Sequence, residues 1–542
     1  MTAAALEAGG VRRAVLSPGS RNAPLCMALE ARPAVDTRVV IDERSAAFVA
    51  LGMAAQTGQP VAMVCTSGTA PLNYAPAVAE AYYRHVPLIA VTADRPRRLI
   101  DCLDGQTIRQ PGIFANFIKD SVDIDCGDTA PALLRRAIAA AVTPPAGPVH
   151  INIRIDDPIG ALNVYPDTPY TTKPVDRGAD SVSCDLPDFG AVRRVMVAVS
   201  CDAPSAALDE ALRLIAERTD CVVVHDPTAN CRLGADRSVA NPDLFFSAPP
   251  AVAPDLVLTI GGAPLSSAMK RYLRSLRGLR HWSVGQTGRP DTFGALEHCL
   301  SGNPVEILKT IAKTMPAGDT AFASTWLSRA AAMDSTATER IASGPFTALQ
   351  ATHRIIDALP RGTVLHLSNG MTVRYAQYAR TGHLGGVYCN RGVSGIDGCT
   401  STAIGAAMAT DAPVCLITGD MSAQYDIGAL AIAGIPANFR MAVLCNGGGN
   451  IFRHIAATRS LPCRERCLVA DVRLPLADLC RGYGMSYHRA DSVTTLDGVL
   501  ADWLSAPGPA VLQIDTDGIT DADDYIKLNE YVNTQLDSNK GI

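Results

Sequence analysis

The sequence predicts an α/β protein of three sequential doubly wound domains, each built on a parallel sheet. Three observations carry this reading. Short apolar runs of strand length alternate with Ala-rich helical stretches, the alternation recurs in three blocks, and a chain of 542 residues exceeds what one hydrophobic core serves. Continuous rather than alternating apolar runs are the mark of strands covered on both faces.

In the first block the strand candidates are Ala14–Ser17, Arg38–Ile41, Val61–Thr66, Pro87–Thr92 and Pro148–Ile153. The stretch Asp156–Asp188 is rich in Pro, Asp and Thr and loses periodicity, so the expected first domain is 1–160, followed by a linker over 161–188. A central α/β domain over 189–335 holds strand candidates Val195–Val199, Cys221–Val224, Leu256–Ile260 and His281–Val284. After the weakly patterned Met315–Phe346, a third domain over 345–542 has strands near Val364–Leu367, Val414–Thr418, Met441–Cys445 and Val511–Ile514. No short-period repeat is visible, and three similar blocks are compatible with ancient duplication.

Composition narrows the function. Hydrophobic residues at 48% and charged residues at 19% describe a folded rather than a disordered chain. No run of about 18 apolar residues occurs, and the start Met1-Thr2-Ala3 lacks the basic-then-apolar order of a signal peptide, so the cytoplasm is the expected address. A net charge of −5 without a basic run argues against nucleic acid or an anionic membrane as partner. Anion binding must therefore come from individually placed cations. The 16 cysteines form no C-x-x-C pair and read as buried apolar residues of a reducing compartment. Cys463 and Cys467 come nearest to a metal spacing, but no second pair completes one.

The strongest chemical signal lies in the third block. Strand Val414–Thr418 runs into Gly419-Asp420-Met421-Ser422, and strand Met441–Cys445 runs into Asn446-Gly447-Gly448-Gly449. Taken singly, each is a turn or a flexible loop. Together they place Asp420 and Asn446 on the carboxyl edge of one parallel sheet, where ligands bind and loop amides favour phosphate. An Asp carboxylate, an Asn amide oxygen and the Gly448 carbonyl are hard ligands suited to Mg²⁺ shared with a diphosphate.

This pairing resembles the thiamine-diphosphate signature, which opens with Gly-Asp and closes with Asn. Five further blocks carry a closer resemblance: Ser17-Pro-Gly-Ser-Arg-Asn-Ala-Pro-Leu25, Thr66-Ser-Gly-Thr69, Thr92-Ala-Asp-Arg-Pro96, Asn390-Arg-Gly-Val-Ser-Gly-Ile-Asp-Gly398 and Gly447-Gly-Gly-Asn-Ile-Phe452. They are similar to those of the 2-succinyl-5-enolpyruvyl-6-hydroxy-3-cyclohexene-1-carboxylate synthase family of menaquinone biosynthesis. The resemblance covers both end domains and, more thinly, the middle one.

It implies a transferase that decarboxylates 2-oxoglutarate and adds the resulting carbanion to isochorismate. Thiamine diphosphate and Mg²⁺, for which Mn²⁺ can substitute, are the implied cofactors. The first domain is implied to hold the pyrimidine half and the third the diphosphate half, meeting across the interface of a homodimer or homotetramer. Glu43 is implied to bond the pyrimidine ring and manage its proton, with Gln106 as a second catalytic group. Read alone, Asp42 and Glu43 are a helix cap and a dipole partner. Ile396, Gly419, Asp420, Ser422, Asn446 and Ile451 are implied cofactor contacts, and Asp420, Asn446 and Gly448 the metal ligands.

Because both substrates are dicarboxylates, cations are expected to converge as clamps. The resemblance assigns Arg374 to the far carboxylate of 2-oxoglutarate. It turns Arg21, Arg95, Lys270 and Arg271 toward isochorismate, sets Arg391 between, and adds Ser20 and Gln106 as neutral hydrogen-bonding groups. Phe452 with Ile451 is expected to wall off water. The chain departs from the family pattern at Cys445 and Gly105, where relatives carry Asn. Little chain precedes Gly10, which reads as a shortened initial helix or a misassigned start. The nearest competing reading is another thiamine-diphosphate carboligase or a simple 2-oxo-acid decarboxylase, which needs fewer cations.

Overall fold

The computed structural model describes residues 1–125, 129–157, 186–217, 221–285, 290–315 and 319–538. The linker expected over 161–188 lies outside them except for its last three residues. Among the described residues, eighteen strands form three six-stranded sheets, and every strand pair is parallel. In the first sheet β1 is Arg13–Leu16, β2 Asp36–Val39, β3 Val61–Cys65, β4 Leu88–Asp94, β5 Asp120–Ile124 and β6 Val149–Arg154. The middle sheet has β7 Val195–Ser200, β8 Cys221–His225, β9 Ser238–Val239, β10 Leu256–Gly261, β11 Arg280–Val284 and β12 Leu296–Leu300. The third has β13 Val364–Leu367, β14 Gly386–Cys389, β15 Val414–Gly419, β16 Phe439–Cys445, β17 Ser486–Ala490 and β18 Ala510–Asp515.

The first sheet runs β2-β1-β3-β4-β6-β5 and the third β14-β13-β15-β16-β18-β17, the same order strand for strand. The middle sheet runs β12-β11-β10-β7-β8-β9, the dinucleotide-fold order read from its other edge. The end sheets thus share a topology that the middle one does not.

The sheets stack, with the third in the centre. Successive residues of a strand point to opposite faces. Accordingly Val414, Leu416, Met441 and Val443 join a core shared with Val15, Met63 and Ala90 of the first sheet. Their neighbours Cys415, Ile417, Ala442 and Leu444 join one shared with Met196, Ala198 and Val257 of the middle sheet. Two outer cores close the stack. Strands covered on both faces have no polar side to show, hence their unbroken apolar runs.

Two helices fill the core between the first and third sheets. Glu43–Thr57 is buried continuously from Ser45 to Ala54, and Cys399–Ala407 is buried at all nine positions. They cross at glycines: a Cβ on Gly52 would overlap the Thr402 carbonyl, and one on Gly405 would overlap the Val49 carbonyl.

The weakly patterned Met315–Phe346 holds a 24-residue helix, Thr320–Ser343, with a helical stripe of Phe322, Trp326, Ala330, Met333, Ala337 and Ile341. Ala, Ser and Thr dilute its periodicity. This helix crosses residue 335 and packs in the core shared by the middle and third sheets. No described helix is long and apolar enough to cross a membrane.

Gly405→Ala is expected to destabilise the protein by at least about 2 kcal/mol, although alanine is the better helix former, because the overlap is with backbone. Gly498→Ala, in an exposed helix where a Cβ meets nothing, should gain about 0.5–1 kcal/mol. Opposite shifts of the unfolding midpoint in the two variants are the check.

Candidate active site

In the end sheets the strand order reverses between the first and third strands, so the loops following those strands part and leave a crevice at the carboxyl edge. In the third sheet these loops carry Ser368–Gly370 and Gly419–Ser422. Asp420 opens the Asp420–Tyr425 helix and is buried. Its Oδ1 accepts the Met421 amide at 2.7 Å, and its Oδ2 accepts three amides, from Asn446 at 3.1 Å, Gly447 at 2.8 Å and Gly448 at 3.0 Å. Burial pushes its pKa up to about 6 against the pull of these amides.

The Asn446 side-chain amide donates to Asp521 Oδ2 at 2.9 Å, which turns its oxygen the other way. Asp521 is itself anchored by Ala348 N and Thr516 Oγ1, both at 2.8 Å. The Gly448 carbonyl accepts Asn450 N at 2.8 Å, leaving it a second lone pair. Gly448 needs its glycine, with φ of 125° and a Cβ position that would overlap the Val469 carbonyl.

This set fits a divalent cation with a diphosphate. The hard-oxygen residues Asp420, Asn446 and Gly448 meet at one loop, the buried carboxylate has no cation partner among the described residues, and side chains at Gly419 or Gly447 would meet only open space. No cluster of three His, Cys, Asp or Glu that could hold a metal occurs among the described residues.

The Asn390–Gly398 loop is held from two sides. Asn369 donates to the carbonyls of Asn390 at 2.6 Å and Gly395 at 2.7 Å, and accepts Arg391 Nη1 at 2.9 Å. From the first domain, buried Glu80 accepts the amides of Gly392 at 2.8 Å and Val393 at 2.7 Å. Ser422 Oγ bonds the Ile396 carbonyl at 2.7 Å, tying that loop to the Asp420 helix. Asn369, Glu80 and Asp521 had no sequence signal: each works through backbone or side-chain partners remote in the chain.

Lys270, Arg374 and Arg391 converge. Burial and the charges of Arg391, Arg274 and Arg374 lower the Lys270 pKa. Arg374 bonds the Gly370 carbonyl, and Lys270 that of Pro264 at 3.2 Å. Arg271, on the same helix as Lys270, is exposed, and no described contact links it to this cluster. Ile396, Ile451 and Phe452 are each half-buried.

The first sheet forms a second half-site at its own reversal. Gly19 lets the Ser17–Arg21 loop lie against Thr66, where any Cβ would overlap that side chain. Gly68, at φ of 89°, lies against the Gln106 side chain, 2.9 Å from where its Cβ would be. Ser67 Oγ donates to the Gln106 carbonyl at 2.9 Å, and Gln106 Nε2 returns a bond to Ser67 O at 3.2 Å. Arg21 bonds the Ile155 carbonyl at 3.0 Å and Asp157 at 3.3 Å, and Arg95 lies 3.6 Å from Asp104. The Nε of each arginine is buried without a hydrogen-bond partner among the described residues. Ser20 is exposed. Asp42 caps its helix by accepting the amides of Arg44 and Ser45, leaving Glu43 as a half-buried first-turn carboxylate.

Among the described residues, the polar contacts of Arg21, Arg95 and Gln106 stay within the loops of the first sheet, and those of Arg374 and Lys270 within the middle and third domains.

A buried polar net lies under the first half-site. His150 bonds Thr92 at 2.8 Å, Thr92 and Gln110 both donate to Asn152 Oδ1 at 2.8 Å, and Gln110 Oε1 accepts Gly68 N at 3.1 Å. Burial lowers the His150 pKa from 6.5 to about 4. The unfolded chain therefore takes up a proton before the folded one as pH falls. The stability due to neutral His150 is complete above pH 6.5 and is lost between 6.5 and about 4, on the order of 2–3 kcal/mol. Urea midpoints at pH 7 and 5 should differ in this sense, and His150→Gln should narrow the gap.

The thiamine pyrophosphate enzyme, N-terminal TPP binding domain family matches residues 1–118. A 2-succinyl-5-enolpyruvyl-6-hydroxy-3-cyclohexene-1-carboxylate synthase from Porphyromonas gingivalis is 34% identical over 93% of this chain and 92% of its own. Synthases of the same name from Flavobacterium psychrophilum, 33% identical over 97% and 96%, and Desulfotalea psychrophila, 34% identical over 94% and 96%, are similar throughout. A crystal structure described as a thiamin diphosphate-dependent enzyme from Mycobacterium smegmatis shares the fold, with a TM-score of 0.70 at 18% identity, covering 95% of this chain and 98% of its own.

Proposed function

Since the chain belongs to the 2-succinyl-5-enolpyruvyl-6-hydroxy-3-cyclohexene-1-carboxylate synthase family of thiamine-diphosphate-dependent enzymes, we propose that it decarboxylates 2-oxoglutarate and joins the remaining four-carbon unit to isochorismate, releasing CO₂, in menaquinone biosynthesis. The observation that carries the substrate reading is that Arg391 and Arg374 bond adjacent residues, Asn369 and Gly370, with Lys270 near enough that burial together with the charges of Arg391, Arg274 and Arg374 lowers its pKa. Like charges held together are relieved by a polyanionic ligand.

Asp420, Asn446 and the Gly448 carbonyl hold Mg²⁺, or Mn²⁺ in its place. Gly419 and Ser422 would line the diphosphate, and Ile396 would support the cofactor from the Asn390–Gly398 loop. When bound, thiamine diphosphate supplies the carbanion that attacks the 2-oxo carbon and the electron sink for decarboxylation. The chain manages protons, orients substrates and excludes water. Glu43 holds a proton against the pyrimidine ring, and its position is set by the cap at Asp42 and the buried helix behind it. Arg374 grips the distal carboxylate of 2-oxoglutarate, and Arg391 sits between the two substrates. Lys270, Arg271, Arg21 and Arg95 face isochorismate, with Ser20 and Gln106 adding hydrogen bonds and Gln106 assisting catalysis. Ile451 and Phe452 keep water from the reacting carbon.

The active unit is a homodimer or a pair of homodimers, each site combining the first half-site of one copy with the third-domain half-site of another. Two features support this: among the described residues the polar contacts of Arg21, Arg95 and Gln106 do not reach those of Lys270 and Arg374 within one chain, although Glu80 of the first domain does bind the Asn390–Gly398 loop, and apolar side chains beside the half-sites are exposed, Ile41 by 81%, Tyr425 by 52% and Val393 by 47%. Contrary to the expectation that they are buried throughout, Cys102, Cys463 and Cys467 are exposed, but no disulfide joins the described cysteines, and thiols left reduced suit a cytoplasmic address.

Isochorismate loss should require thiamine diphosphate, Mg²⁺ and 2-oxoglutarate together, stop on chelation of the metal, and fall about 10²–10⁴-fold in Glu43→Gln. Arg374→Ala should raise the KM for 2-oxoglutarate about 10–100-fold while leaving that for isochorismate nearly unchanged. CO₂ release without loss of isochorismate would overturn the acceptor assignment.

A further inference from the structure

Beside Arg374 lies a polar side chain that the mechanism above does not use. His454 ends the short Ile451–His454 helix, two residues after Phe452. Both of its ring nitrogens are buried, and neither has a hydrogen-bond partner among the described residues. Its ring stands edge-on to Tyr525 with centroids 5.1 Å apart, and Tyr525 also meets Tyr375 at 5.8 Å. Burial, then Arg374, Arg453 and Arg459, hold the imidazole well below its usual range, at about 4, so it is neutral near pH 7. Arg453 is engaged by Glu465 at 2.7 Å and Asn450 at 3.1 Å, whereas the one described hydrogen bond of the Arg374 guanidinium is to the Gly370 carbonyl. At Gly370 itself a side chain would meet only open space.

A histidine serving only to pack against Tyr525 gains nothing over leucine or phenylalanine, and leaves a donor and an acceptor desolvated and unpaired. A neutral donor flanked by cations selects an anionic acceptor. We infer that His454 is a specificity-determining residue of the donor half of the site: one ring N–H bonds the distal carboxylate of the 2-oxo dicarboxylic acid that Arg374 also holds. The inference rests on the donor assignment proposed above. A monocarboxylic 2-oxo acid of the same length leaves His454 and Arg374 unpaired, and a site built this way rejects such analogues strongly.

The test uses the full-length enzyme with thiamine diphosphate and Mg²⁺, comparing 2-oxoglutarate with 2-oxopentanoate, which has the same chain without the distal carboxylate. In His454→Leu the KM for 2-oxoglutarate should rise about 10–100-fold. The preference for 2-oxoglutarate over 2-oxopentanoate should fall by the same factor, with the KM for isochorismate unchanged. His454→Gln, which keeps a donor, should recover part of the preference. A merely structural role would instead lower the melting temperature and slow both acids alike, and that result overturns the inference. If the leucine variant does not fold, His454→Phe, which retains a ring edge against Tyr525, is read in its place. Wild-type enzyme inert toward 2-oxoglutarate overturns the donor assignment and this inference with it. Wild-type enzyme that uses 2-oxoglutarate, with selectivity unmoved in a folded variant, overturns this inference alone.

Discussion

The crossing of Glu43–Thr57 over Cys399–Ala407 is the contact on which the arrangement of the two end domains depends. Gly52 and Gly405 bring two backbones within a distance that any side chain would forbid. Both helices are buried almost all round, so neither has a solvent face along which to slide. One helix begins at Glu43, and the other follows directly from the loop carrying Arg391 and Ile396. The packing that joins two cores therefore also places candidate groups from both domains.

Around this frame, the site is held by buried polar groups that act on backbone. Glu80 and Asn369 grip one loop from opposite domains, Asp521 orients Asn446, and Gln110 and Asn152 support the turn beneath Gln106. Each costs desolvation and is tolerated because its partners are preformed. Asp420 has four amides but no cation among the described residues, and Lys270 is half-buried within reach of the charges of Arg391, Arg274 and Arg374. In the proposed function, groups of opposite character serve a metal with a diphosphate on one side and carboxylates on the other.

The limits of sequence reading fall along the sheet edges. All twelve central strands were legible, most of them because strands buried on both faces are short apolar runs; β6 and β11 carry buried polar residues such as His150, Asn152 and His281 within theirs. The strands overlooked, β5, β9, β12, β14 and β17, all lie at sheet edges, and at the sixth edge β2 lies at Asp36–Val39 rather than Arg38–Ile41. An edge strand has one neighbour and exposed positions, as in the polar Asp120–Ile124, so its hydrogen bonds come from pairing that no local pattern announces.

By itself, then, the sequence determined the fold class and the carboxyl-edge loops that carry Asp420 and Asn446. Strand period and loop composition are local, and oxygen ligands at strand ends can be read one block at a time. Tertiary structure alone decided the stacking with the third sheet at the centre, the crossing at Gly52 and Gly405, the gathering of Lys270 with Arg374 and Arg391, and the isolation of His454 beside them. Those are facts of proximity between residues far apart in the chain, and proximity is settled by how whole cores pack.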